Sequence, residues 1–272
     1  MSIADKQLDF FLLIPCYKDF EGLILSLKSV LYHSDRFQVI VVDDGSPDPI
    51  TRDAIRSVTN IDCSIIVLRN ETNEGITSAL NKGLQWIESN GNAKYIARLD
   101  CGDICDANRF VRQVDYMNTH ADTTLLGSWC IFQTKDASLN YLYKTPVDHE
   151  RIKRAMHIRN VFIHPTVIFR ASALQKVSRY PTTFQYAEDY AFFWELIKLG
   201  RSHILNEFLV ICAIDNKGIS LKNRHKQLNI RAKIIARYGT NLLLKIAGIL
   251  RVKVLHIVPN QLALRLKKLT TL

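Results

Sequence analysis

The chain has 272 residues, of which 47% are hydrophobic and 23% charged, which is the balance of an ordinary globular protein with room for a sizeable core. Its six cysteines are scattered, without a Cys-x-x-Cys pair or a His/Cys ligand spacing, which argues against a zinc site and favours reduced thiols. No uninterrupted apolar stretch reaches about 18 residues and the N-terminus lacks the basic start of a secretory signal, so we expect neither a membrane-spanning helix nor a signal peptide.

The net charge of +10 is unevenly distributed along the chain. Residues 217–272 contain 13 Lys and Arg residues and no Asp or Glu, whereas residues 1–216 carry a net charge of −3. This asymmetry predicts an anionic partner for the C-terminal segment.

The first 120 residues alternate between apolar runs and stretches with helical periodicity. Predicted strands cover 10–15, 37–48, 64–70 and 93–100, and predicted helices cover 21–33, 75–91 and 107–120. This alternation predicts an α/β fold with a parallel sheet, and the solid apolar runs predict helices on both of its faces. Further along, the predicted elements are strands or strand-to-helix turns at 123–132 and 166–174, a helix at 187–200 and a strand at 202–214.

Acidic residues and glycines follow the first predicted strands. Asp43 and Asp44 precede a Gly-Ser-Pro turn, where they could simply shape the turn or could accept hydrogen bonds from a base or a ribose. Asn73 and Gly75 precede a helix whose free N–H groups could hold a phosphate or be capped in the ordinary way.

Three further places could carry chemistry. Asp100 and Asp103 could hold a divalent cation that neutralises a diphosphate, or they could cap the next helix, with the neighbouring Arg98 pairing with Asp100. The acids at 188 and 189 open a helix, where negative charge is favourable anyway, but an Asp there could also act as a general base. His164 could meet a phosphate or a metal, although a satisfied buried histidine is the simpler interpretation.

Five motifs, taken in order, resemble those of the GT-A-fold family 2 glycosyltransferases that build bacterial surface glycans. They are IPCYK, VVDDGSPD, NEGITSALNKGL, ARLDCGD and AEDYAFFWEL, and the resemblance covers roughly residues 8–215. It implies a mostly parallel GT-A domain over residues 1–215, followed by a basic, helical C-terminal extension over 216–272. It also implies an inverting enzyme that moves a sugar from a nucleotide-diphosphate donor, most commonly a UDP-sugar, to a hydroxyl of a glycan or lipid-linked acceptor in lipopolysaccharide or polysaccharide synthesis.

The resemblance also implies roles for the residues that bind the donor. Pro15 and Tyr17 would flank the base, and Asp44 would hydrogen-bond it, with Asp43 as support or as a ribose contact. Asn73 and Gly75 would shape the floor near the ribose and phosphates. Arg98 would lie near the pyrophosphate or orient the acids of the metal site, which would be Asp100 and Asp103.

The same resemblance assigns the catalytic base to Asp189, with Glu188 as its neighbour. The base would take the proton of the acceptor hydroxyl while the nucleotide diphosphate leaves from the opposite face of the sugar.

The metal motif departs from the family pattern. The family usually has Asp-x-Asp-Asp where this chain has Asp100-Cys101-Gly102-Asp103, so Gly102 occupies the position whose Asp normally touches the Mn²⁺ or Mg²⁺ ion. Asp103 could replace the missing ligand through a bent chain, which a glycine permits. Alternatively, the metal could be held mainly by the diphosphate, Asp100 and water. A third possibility is a catalytically impaired protein that only binds a nucleotide-sugar or glycan.

The C-terminal segment mixes Leu, Ile and Val with Lys and Arg, as peripheral membrane anchors do. We therefore expect it to contact an anionic membrane surface, with the protein cytoplasmic at the inner face of the cell membrane, unless its helices pack on the catalytic domain and the charge is merely solvated. A nucleic-acid partner is not expected, because Tyr238 is the lone aromatic residue after 216 and offers no stacking platform.

Overall fold

Nine strands form one sheet in the computed structural model, which describes residues 7–59, 61–134, 136–214 and 223–258. The strands are β1 (Leu8–Cys16), β2 (Phe37–Asp43), β3 (Ser64–Arg69), β4 (Ala93–Arg98), β5 (Ile104–Cys105), β6 (Thr123–Thr134), β7 (Asn140–Tyr143), β8 (Ile168–Arg170) and β9 (Arg201–Ile214).

Helices cover the sheet and extend the chain at its C-terminal end. They are α1 (Phe20–Lys28), α2 (Arg52–Val58), α3 (Ile76–Asn90), α4 (Arg109–Thr119), α5 (His149–Met156), α6 (Glu188–Leu199), α7 (Arg224–Tyr238) and α8 (Leu242–Ile257). Three short 3₁₀ turns lie between β7 and α6, at His164–Thr166, Ala171–Gln175 and Thr182–Phe184.

The N-terminal half of the sheet is parallel, which confirms the α/β prediction. The strand order is β3-β2-β1-β4-β8-β6-β9-β5, with β7 added on β6. β1 pairs in parallel with β2 and β4, and β2 with β3, in a register that sets Cys16 beside Asp43 and Asp43 beside Arg69. The carboxyl ends of these strands therefore meet at one edge, which is where ligands bind in open α/β sheets.

Both faces of the parallel half are buried, as the solid apolar runs predict. Along β1, Phe11 and Leu13 join one core cluster with α3 and α6, whereas Phe10 and Leu12 join the other with α1 and α4. Successive side chains of a strand point to opposite faces, so a strand buried on both sides must be apolar throughout.

Beyond β4 the sheet becomes mixed, and here the sequence was less informative. β8 runs antiparallel to β4 and β6, and the stretch 166–174 divides into the short strand β8 and a helical turn. The elements β5, β7, α2 and α5 were not predicted, because each is short. α1 ends at Lys28 instead of His33, since the Ser29 hydroxyl donates to the Ser26 carbonyl and accepts the N–H of Cys105.

The described part of the C-terminal extension, residues 223–258, is mainly helical, as predicted, and packs on the rest of the molecule. α7 buries Leu228, Ile234 and Ile235 in the core cluster that contains α6. His157 Nε2 accepts the N–H groups of Thr240 and Asn241, which fixes the turn between α7 and α8. The predicted boundary at residues 215 and 216 falls outside the described residues.

Candidate functional site

Asp43 shapes the turn after β2. Its fully buried carboxylate accepts the N–H groups of Ser46 (2.9 Å) and Ile50 (3.2 Å) and pairs with Arg69 at the end of β3. Gly45 makes this turn possible, because it has a φ of +73° and any Cβ there would collide with the backbone of Thr72. Asp43 therefore lies at the predicted edge as a support for the turn.

Asp44 holds the floor of the same edge. Its carboxylate accepts Asn70 Nδ2 at 2.7 Å and the N–H groups of Glu74 at 3.0 Å and Gly75 at 2.8 Å. An ionised carboxylate offers about four acceptor positions, so these three bonds leave one for a ligand. Gly75, with a φ of +90° and open space where a Cβ would lie, starts α3 without a side-chain cap, and Asn73 is exposed beside it.

Pro15 and Tyr17 frame the outer side of this edge. Pro15 is half-buried near the end of β1, and the Tyr17 side chain is 41% exposed. Lys18 Nζ lies 5.1 Å from the centre of the Tyr17 ring, and the Lys18 N–H donates to Ser46 Oγ at 3.0 Å. An aromatic ring held in this way offers a face on which a flat base can stack.

Arg98, at the end of β4, is fully buried, and its guanidinium is bonded to groups of the protein. It donates to the Leu13 carbonyl, and its Nη2 lies 2.6 Å from Asp100 Oδ1. Its Nε lies 3.3 Å from His164 Nε2, which is also 2.8 Å from the Tyr180 hydroxyl. Burial, followed by the charge of Arg98, holds the pKa of His164 well below its ordinary value, so the ring is neutral, as the simpler interpretation expected.

The two acids of the metal motif face different surroundings. Asp100 remains 33% exposed, whereas Asp103 is buried and accepts the Ala213 N–H from β9 at 2.7 Å. Burial, with the nearby charge of Asp100, raises the pKa of Asp103 well above its ordinary value. This placement gives no support to the expectation that Asp103 replaces the missing ligand.

Gly102 is held in a left-handed conformation, with a φ of +88°. Its N–H lies 2.9 Å from Ser26 Oγ and 3.1 Å from the Gly22 carbonyl oxygen. Asp19, which caps α1, has its Oδ2 3.9 Å from where a Cβ at this position would lie. Sequence reasoning did not single out Asp19, because in sequence it is an ordinary N-cap.

A metal ion fits here only if the protein and a bound diphosphate share its coordination. Among the described residues, no group of three His, Cys, Asp or Glu side chains is arranged to hold an ion. Mg²⁺ is commonly bound by one or two carboxylates together with substrate phosphates, and the exposed Asp100 can supply one of them. The donor set therefore matches the expectation in which the diphosphate itself holds most of the ion.

The acids at the start of α6 differ in exposure. Glu188 is buried and its Oε2 has no hydrogen-bond partner among the residues that the structure describes, whereas Asp189 is half-buried and accepts Asn160 Nδ2 at 2.9 Å. Burial, followed by the charge of Asp189, raises the pKa of Glu188 to about 7. Burial also raises the pKa of Asp189, with Asp100 adding to the rise and Arg231 opposing it. Asp189 is therefore the acid of this pair that a ligand can reach.

Residues of the C-terminal extension also lie at this site, and sequence reasoning missed them. Gln227 on α7 donates to the carbonyl of Tyr186, whose φ of +73° is unusual for a residue other than glycine. Arg231, one turn further along α7, lies within electrostatic range of Asp189. A basic segment without acids gave no sequence signal that would separate these inward-facing residues from solvated ones.

Comparisons with known proteins find glycosyltransferases among the relatives of this chain. Amylovoran biosynthesis glycosyltransferase AmsE of Erwinia amylovora is 25% identical over 247 residues, covering 89% of each chain. The UDP-Gal:alpha-D-GlcNAc-diphosphoundecaprenol beta-1,3-galactosyltransferase of Escherichia coli is 28% identical over 202 residues, covering 73% of this chain and 71% of the relative.

A solved structure shows the same fold. The mannosyltransferase PcManGT from Pyrobaculum calidifontis, in complex with GDP-Man and Mn²⁺, aligns with a TM-score of 0.62 at 16% identity, over 94% of this chain and 72% of that one. This likeness confirms the GT-A architecture predicted from the motifs.

The sequence model described as "Glycosyl transferase family 2" matches residues 11–178, which is more than half of the chain. The match includes the two strand-end acid motifs and Gly102. The chain belongs to glycosyl transferase family 2.

Proposed function

We propose that the protein is an inverting glycosyltransferase that uses a nucleotide-diphosphate sugar, most commonly a UDP-sugar, with Asp189 as the general base. The observation that carries this proposal is the electrostatic interaction between Asp189, the proposed base, and Asp100, the acid on the donor side of the site. Asp189 is reachable and its pKa is raised by burial and by Asp100, so the proposed base and the donor-side acid lie within electrostatic range of one another. A raised pKa brings a carboxylate closer to the range in which general bases work best.

The donor side supplies binding and orientation. The Tyr17 ring is available to stack on the base, and Asp44 keeps one acceptor position for a base N–H. The N–H groups at the start of α3 offer positive potential to phosphates, although those of residues 74 and 75 are already bonded to Asp44. Asp43 and Arg98 are supports that keep the turn and the metal-motif backbone in place.

Asp100 is the residue that would hold a divalent ion, and Asp19 lies close enough to Gly102 to add negative charge there. Such an ion, when bound with the diphosphate, stabilises negative charge on the leaving group. The solved structure of PcManGT holds GDP-Man together with Mn²⁺, and the proposal extends this pairing of a nucleotide-sugar with a divalent ion to this chain.

The chemical step needs one general base. Asp189 accepts the proton of the acceptor hydroxyl as its oxygen forms a bond to the anomeric carbon. The bond between that carbon and the phosphate oxygen breaks, and its electron pair leaves with the nucleoside diphosphate from the opposite face, so the configuration inverts. Glu188 is buried and its pKa of about 7 leaves it protonated in about half of the molecules near neutral pH, which limits the negative charge beside Asp189.

For the acceptor, we propose a lipid-linked glycan of surface polysaccharide or lipopolysaccharide synthesis. The name of the Escherichia coli relative includes a diphosphoundecaprenol acceptor, and AmsE is named for amylovoran biosynthesis. These names support the proposal for the present chain at the level of acceptor class.

We further propose that α8 rests on an anionic membrane surface, at the inner face of the cell membrane. Its exposed apolar side chains follow one face of the helix and are Leu242, Leu243, Ile246, Leu250, Val254 and Ile257. We call them the apolar stripe. Lys253 lies within this face, where its stem can lie along the membrane while its charge reaches the headgroups. The absence of acids after residue 216 makes the segment complementary to anionic lipids. Within the described residues, no helix is both long and apolar enough to cross a bilayer.

Vesicle co-sedimentation tests the membrane contact with two matched variants. Leu250 and Leu31 are 55% and 56% exposed, on α8 and in the loop after α1. We expect wild type and Leu31→Glu to bind phosphatidylglycerol vesicles, and Leu250→Glu to bind at least about 10-fold more weakly, because one buried leucine contributes about 2 kcal/mol. Equal binding by both variants, or binding only to neutral vesicles, would contradict the proposal.

A second function remains open because of Gly102 and the buried Asp103. A GT-A-fold protein that binds a nucleotide-sugar or glycan without transfer would need no accessible metal ligand set. A donor screen with Asp189→Asn as the inactive control separates the two functions. Transfer or slow donor hydrolysis by wild type, with an inverted anomeric centre by NMR, supports the enzyme. Binding without turnover in both proteins supports the binding protein.

A further inference from the structure

Three arginines converge beside the proposed base, and we call them the arginine triad: Arg159, Arg231 and Arg251. Asn160, which donates to Asp189, is the chain neighbour of Arg159. Arg231 comes from α7 and Arg251 from α8, and all three lie within electrostatic range of Tyr143 at the end of β7. The triad thus joins the catalytic domain to both helices of the extension.

The triad makes few bonds to the protein. Arg159 donates to the Tyr143 hydroxyl at 2.6 Å, and Arg251 reaches the Ile158 carbonyl at 3.4 Å. In the part of the chain that the structure describes, Arg231 donates to no protein acceptor, and none of the three forms an ion pair. A guanidinium carries five N–H donors, so most of the donors in the triad are available to a ligand.

The positive charge of the triad is compensated in part by Asp189. Burial lowers the pKa of Arg231, and Asp189 opposes this. Burial also lowers the pKa of Arg251, and repulsion from Arg159 and Arg231 adds to the effect. Guanidinium groups stay charged at neutral pH, so three like charges are held together, and the single charge of Asp189 cannot balance all three. A bound anion would reduce the repulsion among the three guanidinium groups.

The position of the triad indicates that the anion it would bind is not the donor diphosphate. On the donor side, the buried Arg98 is committed to Asp100 and to the Leu13 carbonyl. The electrostatic neighbours of Arg231 are Asp189, Tyr190 and Tyr143, which belong to α6 and β7 and not to the donor-side strands. The triad therefore belongs to the acceptor side of the base.

We propose that the arginine triad binds a phosphate group of the acceptor, and so orients the acceptor hydroxyl toward Asp189. This inference rests on the proposed function and deepens it by naming the acceptor chemistry. Phosphate suits the triad better than a single carboxylate, because its several oxygens can accept from more than one guanidinium at a time. The apolar stripe lies on the same helix as Arg251, which suits a phosphate carried by a lipid.

Titration calorimetry with geranyl diphosphate as the probe tests this inference. The protein is first saturated with UDP, which fills the donor diphosphate subsite, and the probe is then added. Arg231→Gln removes one charge from the triad, and Lys233→Gln removes one from the exposed face of the same helix. We expect Arg231→Gln to weaken probe binding by about 10- to 100-fold, with Lys233→Gln within about twofold of wild type.

UDP titrations of the same proteins distinguish the possible failures. We expect Arg231→Gln to bind UDP as wild type does. Equal loss of UDP affinity, or competition between UDP and the probe, would assign the triad to the donor and overturn the inference. UDP binding without probe binding by wild type would overturn the inference alone, whereas loss of both would also remove the proposed function.

Two controls complete the experiment. Glucuronate replaces the probe in one arm, and tight triad-dependent binding of glucuronate with none of geranyl diphosphate would contradict a phosphate ligand. Thermal unfolding of each variant checks the fold, and Arg251→Gln provides a second test if Arg231→Gln does not fold. Loss of probe binding in Arg251→Gln supports the inference, and wild-type binding by that variant contradicts it.

Discussion

The proposed donor edge and the proposed acceptor side of this molecule differ in how far the protein itself satisfies their charged groups. At the donor edge, Asp43 and Asp44 are almost completely satisfied by backbone N–H groups and by Arg69 and Asn70. On the acceptor side, Glu188 has an unbonded carboxylate oxygen, and the arginine triad has little to bind within the described residues. The donor edge is therefore organised before a ligand arrives, whereas the acceptor side stores unsatisfied charge.

This difference predicts how each region affects the stability of the fold and the binding of substrate. Satisfied carboxylates stabilise the turns that shape the nucleotide site, so their loss should harm folding. Unsatisfied charges destabilise the empty protein and become favourable when substrate neutralises them. The following variants sharpen this comparison.

The largest expected effect is on turnover, with Asp189→Asn. An amide cannot accept the acceptor proton, so we expect kcat to fall by about 10²- to 10⁴-fold while UDP affinity is unchanged. Steady-state kinetics and nucleotide titration measure the two quantities. A much smaller loss is expected for Glu188→Gln, because the Glu188 side chain is buried away from a ligand, and the reverse order would assign the base to Glu188.

Arg98→Met should have the largest effect on stability. The change leaves the Leu13 carbonyl with the Leu99 N–H as its remaining donor, at 3.3 Å, and leaves Asp100 without its cation, so we expect the free energy of unfolding to fall by about 3–5 kcal/mol. Arg112→Met is the matched control, since that arginine pairs with Glu207 on the surface and should contribute at most about 1 kcal/mol. Denaturant unfolding compares them, and similar losses would contradict the structural role of Arg98.

The pH dependence of stability tests the unsatisfied acid. Because Glu188 has a folded pKa of about 7 against an ordinary value of 4.5, the folded chain keeps a proton that the unfolded chain releases in this window. Stability should therefore fall as pH rises from about 4.5 to 7, by at most about 3 kcal/mol from this group. Glu188→Gln should flatten that dependence in denaturant unfolding, and the exposed Glu71→Gln should leave it. An unchanged slope in Glu188→Gln would contradict the assignment.

The smallest effect concerns Gly102. Gly102→Asp restores the family's carboxylate, while a φ of +88° should cost about 1–2 kcal/mol of stability. Gly75→Ala, with a φ of +90° and open space at Cβ, should cost a similar amount without adding a carboxylate. We expect Gly102→Asp alone to tighten Mn²⁺ binding to the UDP complex in calorimetry. Unchanged affinity would mean that this position does not face the metal.

The sequence predicted that the strand-end acids meet at one edge, because that arrangement is local. Each of its acids directly follows an apolar strand, and parallel pairing brings those strand ends together without further information. The orientation of Asp103 was not predictable, since it depends on a hydrogen bond to Ala213 more than 100 residues away. The arginine triad was equally hidden, because its members come from three separate segments and a basic helix has the same composition whether its arginines face solvent or a site.

Calorimetric titration of UDP, GDP and dTDP, with and without Mn²⁺, into wild type and Asp100→Ala tests the central claim most directly. The account predicts that one nucleotide binds wild type, that Mn²⁺ tightens this binding, and that Asp100→Ala loses the gain from Mn²⁺. Absence of binding by every nucleotide under both conditions would contradict a nucleotide-sugar-dependent transferase.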